Sequence, residues 1–184
     1  MIAPRQAALE LADILQPNEK VIWAAHPDAR SILRTKIFLW WLGVPFCAAV
    51  FGLAMSGNVS AGVLYPLGLV AFALMAAPFI MLFESTLTIY VITDRRALIA
   101  RRAPARPPLV ACGFEAMDEK LEILETGSGA GHVYFASGWS TKGRDTDYAG
   151  KLAFRDVGKA YDVAKLLDKA RGKAKPVTKR RSKP

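Results

Sequence analysis

IFLWWLGVPFCAAVFGLAMSGNVSAGVLYPLGLVAFALMAAPFIMLF, residues 37–83, contains no Lys, Arg, Asp, Glu or His. Soluble domains rarely contain so long an uncharged run, whereas the hydrocarbon core of a bilayer requires one. The only cluster of polar and turn-forming residues in this run begins at Ser56-Gly57-Asn58. At about 1.5 Å per residue, the segments 37–55 and 59–83 can each cross a core of roughly 30 Å. We therefore predict two membrane helices in a hairpin whose ends return to the same side.

Three aromatic residues stand near the starts of the two predicted helices, namely Trp40 and Trp41 in the first and Tyr65 in the second. Amphipathic rings of this kind settle at the headgroup level of a bilayer. We expect these side chains to anchor the hairpin at the membrane interfaces.

Small residues one helical turn apart occur in both segments, as Ala48-xxx-Gly52 and Ala73-xxx-Ala77. Such spacings let two membrane helices approach closely, so we expect the hairpin to pack through these positions. The alternative is a hairpin buried in a soluble core, which would need far more surrounding chain than 184 residues supply.

Basic residues flank the uncharged run on both sides, while its predicted turn carries no charge. The flanking residues are Arg30, Arg34, Lys36, Arg95, Arg96, Arg101 and Arg102. Positively charged flanks remain in the cytoplasm. We therefore expect a multi-pass protein of the cytoplasmic (inner) membrane with both termini in the cytoplasm. We expect no cleavable signal peptide, because residues 1–36 lack an apolar core of the required length.

The formal net charge of +9 is concentrated at the end of the chain. Seven of the last fourteen residues are basic and none is acidic; the basic ones are Arg171, Lys173, Lys175, Lys179, Arg180, Arg181 and Lys183. We expect residues 172–184 to form a disordered basic tail that contacts the anionic inner leaflet, at about 1 kcal/mol per basic residue. A tail that is simply solvated is the alternative. Nucleic acid is not expected as a partner, because the tail has no aromatic residues for base stacking.

The first cytoplasmic piece is predicted at residues 1–36. Pro4 to Leu15 has apolar residues at helical spacing and predicts a short amphipathic helix. The turn Gln16-Pro17-Asn18-Glu19 follows, in which we expect Asn18 to take a positive φ. Val21 to Ala25 predicts a strand, and we expect Trp23 to pack with strands that come after the hairpin.

The second cytoplasmic piece is predicted at residues 84–171, where β-branched and aromatic runs alternate with turns. Strands are predicted at residues 86–93, 97–102, 109–112, 120–124, 132–136 and 152–154. Asp156 is placed to cap a helix from Val157 to about Arg171. The expected architecture is five to seven antiparallel strands closed by this C-terminal helix.

Several segments resemble one family, the bacterial membrane proteins with a pleckstrin-homology-like (PH-like) domain. Leu15-Gln16-Pro17-Asn18-Glu19-Lys20-Val21-Ile22-Trp23-Ala24-Ala25-His26-Pro27 is similar to the family's opening L-x-P-G-E-x-x-x-W-x-G-x-P. Tyr90-Val91-Ile92-Thr93-Asp94-Arg95-Arg96 resembles its Y-x-[LIV]-T-[DN]-x-R segment after the membrane hairpin. Residues 131–135 and 154–157 resemble a later strand and the start of the closing helix. Asn18 and Ala25 depart from the pattern, and neither departure disturbs the expected fold.

The resemblance covers residues 15–170 and implies an α+β membrane protein. Its two-helix transmembrane hairpin would be inserted before a PH-like antiparallel β-barrel or sandwich closed by the C-terminal helix. The family has no agreed catalytic activity or fixed ligand. The resemblance therefore implies a membrane-associated interaction role and transfers no active site.

Candidate chemical sites are few. Gly127-x-Gly129-x-Gly131 precedes a strand, so a hairpin turn is favoured over a nucleotide site. His26 and His132 have no cysteine or carboxylate at metal-ligand spacing, and no serine lies in a nucleophile-elbow motif. We expect no cofactor, no metal and no catalytic residue.

The Asp94-Arg95-Arg96 turn is the candidate for contact with phosphate. We expect it to be a hairpin turn beside the membrane, with Arg95 and Arg96 facing lipid headgroups. Together with these two arginines, the expected headgroup contacts are Lys173, Lys175, Lys179, Arg180, Arg181 and Lys183.

Three functions are compatible with this organisation. The leading expectation is a non-enzymatic integral membrane protein whose PH-like domain binds a partner protein or lipid headgroups at the cytoplasmic face. The alternative is an accessory or assembly subunit of a larger membrane protein complex, with the hairpin packed laterally on it. A small membrane enzyme or transporter component is disfavoured, because the hairpin contains no ionisable residue.

Overall fold

The computed structural model describes residues 2–101, 109–127, 129–139, 146 and 150–174. Within these ranges the helices are α1 (Pro4–Glu10), α2 (Ala29–Ser56), α3 (Ala61–Thr86) and α4 (Ala160–Ala174). The strands are β1 (Val21–Ala25), β2 (Thr88–Thr93), β3 (Arg96–Arg101), β4 (Leu109–Gly113), β5 (Glu122–Gly127), β6 (Ala130–Ala136) and β7 (Leu152–Val157). The predicted α+β class is confirmed.

The strands form two antiparallel sheets. Sheet 1 has the order β1-β2-β3-β4 and sheet 2 the order β5-β6-β7. Neither sheet closes on itself within the described residues, so the predicted barrel is not confirmed. β5 pairs antiparallel with β6, with Gly127 opposite Ala130, so the glycine-rich segment lies at a hairpin, as predicted.

The two long helices are inserted between adjacent strands of sheet 1. β1 precedes α2 and β2 follows α3, yet they pair, with Val21 opposite Thr93 and Ala25 opposite Tyr90. Trp23 is only 4% exposed, and its ring lies 6.2 Å from that of Phe154. The expectation that Trp23 packs with strands after the hairpin is therefore confirmed.

Sheet 1 is covered on both faces. Its inner face shares one apolar core with sheet 2 and α4; among the side chains of this core are Trp23, Tyr90, Ile99, Phe135, Phe154 and Leu167. Its outer face packs against α1 through Ala7 and Leu11. Burial on both sides explains why every residue of β2 is buried.

Close packing of α2 and α3 occurs at Gly43. A methyl group at this position would lie 2.8 Å from the backbone nitrogen of Met75, so only glycine fits without a shift. A methyl group at Gly52, the expected contact, would have no neighbouring atom within 4 Å. At about 100° per residue, nine positions place Gly52 on the opposite side of the helix from Gly43. The predicted contact through Gly52 is therefore wrong.

Several element ends differ from the expectations, and three of the differences change the interpretation of named residues. α2 begins at Ala29, so the basic residues before the uncharged run belong to its first two turns. α1 ends at Glu10, five residues before the predicted end. Asp156 is not a helix cap, because β7 continues to Val157 and α4 begins only at Ala160. Asn18 has the expected positive φ, 63°.

Candidate functional site

The surface of α2 and α3 is apolar and largely uncovered. Their most apolar windows have mean hydropathies of 2.0 and 2.2, and only 6% and 11% of the residues in these windows are buried. Both helices are therefore long and apolar enough to cross a membrane. Core helices of a soluble domain would be mostly buried, so an apolar surface of this size requires another apolar phase or a partner.

The predicted interface aromatics lie on this surface. Trp41 and Tyr65 are 66% and 78% exposed. Trp40 is half-buried and makes an edge-to-face contact with Trp41, with ring centroids 5.4 Å apart. Trp40 lies about 16 Å along α2 from Ala29, at about 1.5 Å per residue, so it stands about three turns into the helix and not at its start.

An apolar cleft separates the two helices near their connection. Its volume is about 410 Å³, and its lining includes Cys47, Phe51, Leu64, Tyr65 and Gly68. The helices therefore touch at Gly43 and diverge toward the turn at residues 57–60.

A buried ion pair joins the two segments that carry the family resemblance. Glu19 Oε1 accepts a hydrogen bond from Arg96 Nε, and Glu19 Oε2 accepts one from Arg96 Nη2, both at 2.8 Å. The Glu19 side chain is 0% exposed and that of Arg96 is 15% exposed. Such a two-point contact is the strongest geometry available to an arginine and a carboxylate.

Backbone turns on both sides position this pair. The Gln16 N–H donates to Glu19 Oε2 at 2.8 Å, and the Thr93 hydroxyl donates to Glu19 Oε1 at 2.8 Å. The Lys20 N–H donates to Asp94 Oδ1 at 3.0 Å. Burial alone would raise the pKa of Glu19, but the hydrogen bonds from Arg96, Gln16 and Thr93 outweigh it and lower this pKa to about 2. The two segments therefore form one clamp, made of Gln16, Glu19, Thr93, Asp94 and Arg96.

The two candidate headgroup arginines differ in their surroundings. Arg95 is exposed, whereas the Arg96 guanidinium is held by Glu19 and by the Ile14 carbonyl. Both follow the end of β2 at Thr93, about 17 Å along the strand from its start beside α3. The Arg96 guanidinium is therefore engaged in the clamp, whereas Arg95 is exposed.

A second polar cluster, which we call the joint, attaches the start of α2 to sheet 2. It consists of Asp28, Ser31, Thr126, His132 and Asp156. The Asp28 N–H donates to the Asp156 carbonyl at 2.5 Å. The Ser31 hydroxyl donates to Asp156 Oδ1 at 3.1 Å and lies 3.0 Å from the Thr126 hydroxyl.

Asp156 occupies an irregular position in β7. The pairing of β6 with β7 shifts between Gly131 and Val133, so that two residues of β7 face one of β6. Asp156 has a φ of 51°, which non-glycine residues rarely adopt. Its N–H donates to the side-chain Nδ1 of His132, on the neighbouring strand β6, at 3.0 Å.

The expected tail residues are mostly outside the described residues; these are Lys175, Lys179, Arg180, Arg181 and Lys183. Lys173 is exposed on the last turn of α4. Ala160, at the start of α4, is bonded to the Gly129 carbonyl beside the joint, whereas Arg171 near its end is bonded to the carbonyls of Asp118 and Glu119. At about 1.5 Å per residue, the tail therefore begins about 21 Å from the start of α4.

Other reactive groups are few in the part of the chain that the structure describes. No group of three His, Cys, Asp or Glu residues there could hold a metal ion. Cys47 and Cys112 are both free. Burial, with the charge of Asp118, raises the pKa of Cys112 to about 11, so this thiol is unreactive at neutral pH.

Sequence reasoning did not find the clamp or the joint as units. The residues of the clamp belong to the segments that resemble the family, but no sequence pattern indicates that Glu19 meets Arg96. Asp156 was assigned to a helix cap because an acidic residue before an apolar helical run is the usual signal of one. Comparisons of the chain with protein-family models, with curated proteins and with solved structures found no match.

Proposed function

We propose that the chain is a non-enzymatic integral membrane protein in which α2 and α3 cross the cytoplasmic membrane as a hairpin. The observation that carries this proposal is the exposure of two helices with mean hydropathies of 2.0 and 2.2. In water, the large apolar side chains along both helices would be exposed to solvent, whereas a bilayer would cover them. Both termini would then lie on the cytoplasmic side, with Arg30, Arg34 and Lys36 at that face.

The remaining α+β part is proposed to be a PH-like domain. Two antiparallel sheets and α4 share one core, and the clamp joins the two segments that resemble the family. Such a domain would bind lipid headgroups or a partner protein at the cytoplasmic face.

The first two turns of α2 are the best-supported place for headgroup contact. Arg30 and Arg34 are exposed, Lys36 is half-buried, and none of the three forms an ion pair with another described residue. Arg30 and Arg34 are four positions apart, so they lie on one side of the helix. They stand next to the uncharged run, whereas Arg95 is separated from α3 by the length of β2.

A role as accessory subunit of a larger membrane complex is the second candidate. The observation that favours it is the open cleft of about 410 Å³ between α2 and α3, which a helix of another protein would fill. In this case the cytoplasmic domain would hold the subunit in register on its partner.

Membrane extraction followed by mild-detergent purification tests both candidates. The full chain should stay in the membrane fraction through an alkaline carbonate wash and require detergent for release. Release by carbonate would overturn the membrane proposal. Native mass spectrometry of the purified protein then separates the candidates, because anionic lipids should stay bound to the first and a stoichiometric protein partner to the second.

The lipid contact has a matched control within the chain. The variant Arg30→Gln with Arg34→Gln should retain fewer anionic lipids than the native protein. Arg5→Gln with Lys20→Gln removes two exposed charges elsewhere and should retain as many as the native protein. Equal retention by both variants would exclude the α2 site.

A further inference from the structure

His132 supports the joint through an acceptor and not through a donor. The Asp156 N–H points at His132 Nδ1 over 3.0 Å. An N–H can only donate, so Nδ1 must carry a lone pair and the ring proton must be on Nε2. Only the neutral ring satisfies this contact.

Protonation of His132 would place a second N–H against that of Asp156. The hydrogen bond would then be replaced by two donors facing each other. Asp156 would lose the contact that holds its strained backbone. Asp156 also binds Asp28, the residue just before α2, and Ser31 in the first turn of α2. The contact lies at the bulge, where the regular register of β6 and β7 is interrupted.

His26 provides a contrast within the same chain. His26 Nδ1 lies 2.7 Å from the carbonyl oxygen of Thr88, so this nitrogen donates. Protonation leaves a donor in place there and preserves the hydrogen bond. Protonation should therefore break the hydrogen bond of His132 and preserve that of His26.

The groups around His132 set the range in which it titrates. Burial lowers the pKa of His132; the Asp156 carboxylate opposes that shift, whereas the positive charges of Arg155 and Lys36 add to it. On the side of β5 the ring faces Leu124, which is uncharged, and within β6 it meets the edge of Tyr134. The lowered pKa keeps the ring neutral and the joint intact at neutral pH, so the joint is lost only as pH falls below the ordinary histidine value of about 6.5 and through the lower pKa of His132.

We propose that the joint is a proton-sensitive latch, in which protonation of His132 releases Asp156 and with it the start of α2 from sheet 2. Acidification of the compartment that contains the domain would loosen the domain from its helical hairpin. The change requires no ligand, because the proton is the only species bound and the broken contact is the one from Asp156 N–H to His132 Nδ1. The latch goes beyond the proposed membrane function, and it can be tested whether or not lipid or partner binding is found.

Hydrogen exchange of the full chain in detergent micelles tests the latch. After correction for intrinsic rates, protection of the Asp28 and Asp156 amides should fall roughly fivefold to tenfold between neutral pH and the acidic pH at which the nitrogen shifts show His132 protonated, as expected for the net loss of one hydrogen bond. His132→Asn supplies an amide oxygen that accepts the same bond without titrating, so its protection should stay constant. His26→Asn, the matched control, should lose protection like the native protein.

Two outcomes would overturn the latch. One is protection in the native protein that does not change with pH, and the other is a pH dependence that persists in His132→Asn. Nitrogen chemical shifts of the native histidines give an independent reading that needs no variant. At pH 7.5 they should show the proton of His132 on Nε2, and a proton found on Nδ1 would refute the arrangement.

Discussion

Glu19 and Arg96 are 77 positions apart in the chain, yet their side chains meet through two hydrogen bonds of 2.8 Å. Between them lies the whole helical hairpin, from Ala29 to Thr86. The pair therefore links the segment before the hairpin to the segment after it, within the α+β domain. The paired strands β1 and β2 bring the two segments together, and the ion pair fixes their ends.

Removal of the carboxylate from this pair should destabilise the domain. In Glu19→Gln, Arg96 would remain largely buried without its counter-charge, which costs about 3 kcal/mol for a buried pair. Urea unfolding of the full chain in micelles, followed by the β-sheet signal in circular dichroism, measures the loss. Glu115→Gln, which changes an exposed carboxylate without a partner among the described residues, should fall within about 0.5 kcal/mol of the native protein. Similar losses in both variants would remove the special role of the pair.

Acid should weaken the same contact over a defined range. The pKa of Glu19 is lowered from 4.5 to about 2, so the folded state favours the charged carboxylate. The corresponding stability is fully present above pH 4.5 and is lost as pH falls toward 2. The shift corresponds to on the order of 3 kcal/mol. The stability difference between the native protein and Glu19→Gln should shrink over this range, and a constant difference would contradict the assignment.

Packing of the two long helices should depend on Gly43 and not on Gly52. Gly43→Ala forces a methyl group to within 2.8 Å of the Met75 backbone, which should cost about 1–3 kcal/mol. Gly52→Ala has free space and should be neutral, or stabilising by up to about 1 kcal/mol through helix propensity. Helicity measured during titration with a denaturing detergent distinguishes the two variants. Equal behaviour would mean that α2 and α3 do not pack as described.

Orientation of the proposed hairpin predicts which segments a cell exposes on each side. Reporter fusions at either terminus should give cytoplasmic signals, because the basic flanks remain inside. A reporter inserted at Asn58, in the exposed turn between α2 and α3, should report from the opposite side. A cytoplasmic signal at Asn58 would exclude a hairpin that crosses the membrane.

Features that depend on local pattern could be predicted from the sequence. The two long helices follow from an uncharged run, and the break between them follows from Ser56-Gly57-Asn58. Gly57 ends α2 with a φ of 67°, as a glycine at that position allows. β1 and its turn were also predicted, because Pro17 and Asn18 restrict the backbone locally.

Features that depend on the meeting of distant segments could not be predicted. From the sequence alone, Arg96 is a basic residue beside a turn. Its ion pair with Glu19 depends on the pairing of β1 with β2, which brings the two residues together. The contact at Gly43 depends on which side of α2 faces α3, and small-residue spacing does not decide between opposite sides. The local sequence pattern predicts Asp156 as a helix cap, because it does not indicate the bulge in β7.

The position of the tail changes what it is expected to do. α4 ends about 21 Å from its start, and residues 175–184 beyond it can reach at most about 36 Å when extended. Attraction between the five basic residues of 175–184 and an anionic surface is screened over about 8 Å at physiological salt. We therefore expect the tail to approach the membrane only when anionic lipid draws it back, and to contribute nothing to the fold.

Energy transfer from a dye at the end of the tail to labelled lipid tests this expectation in the full chain. In nanodiscs, transfer should be higher with anionic than with neutral lipid at low salt, and the difference should disappear at high salt. A tail with glutamine at Lys175, Lys179, Arg180, Arg181 and Lys183 is the matched control and should show no lipid dependence. Removal of residues 175–184 should leave the unfolding midpoint unchanged, because the apolar core ends at Ala170. Transfer that is the same for the native and glutamine tails would show that its charge does not direct it to the membrane.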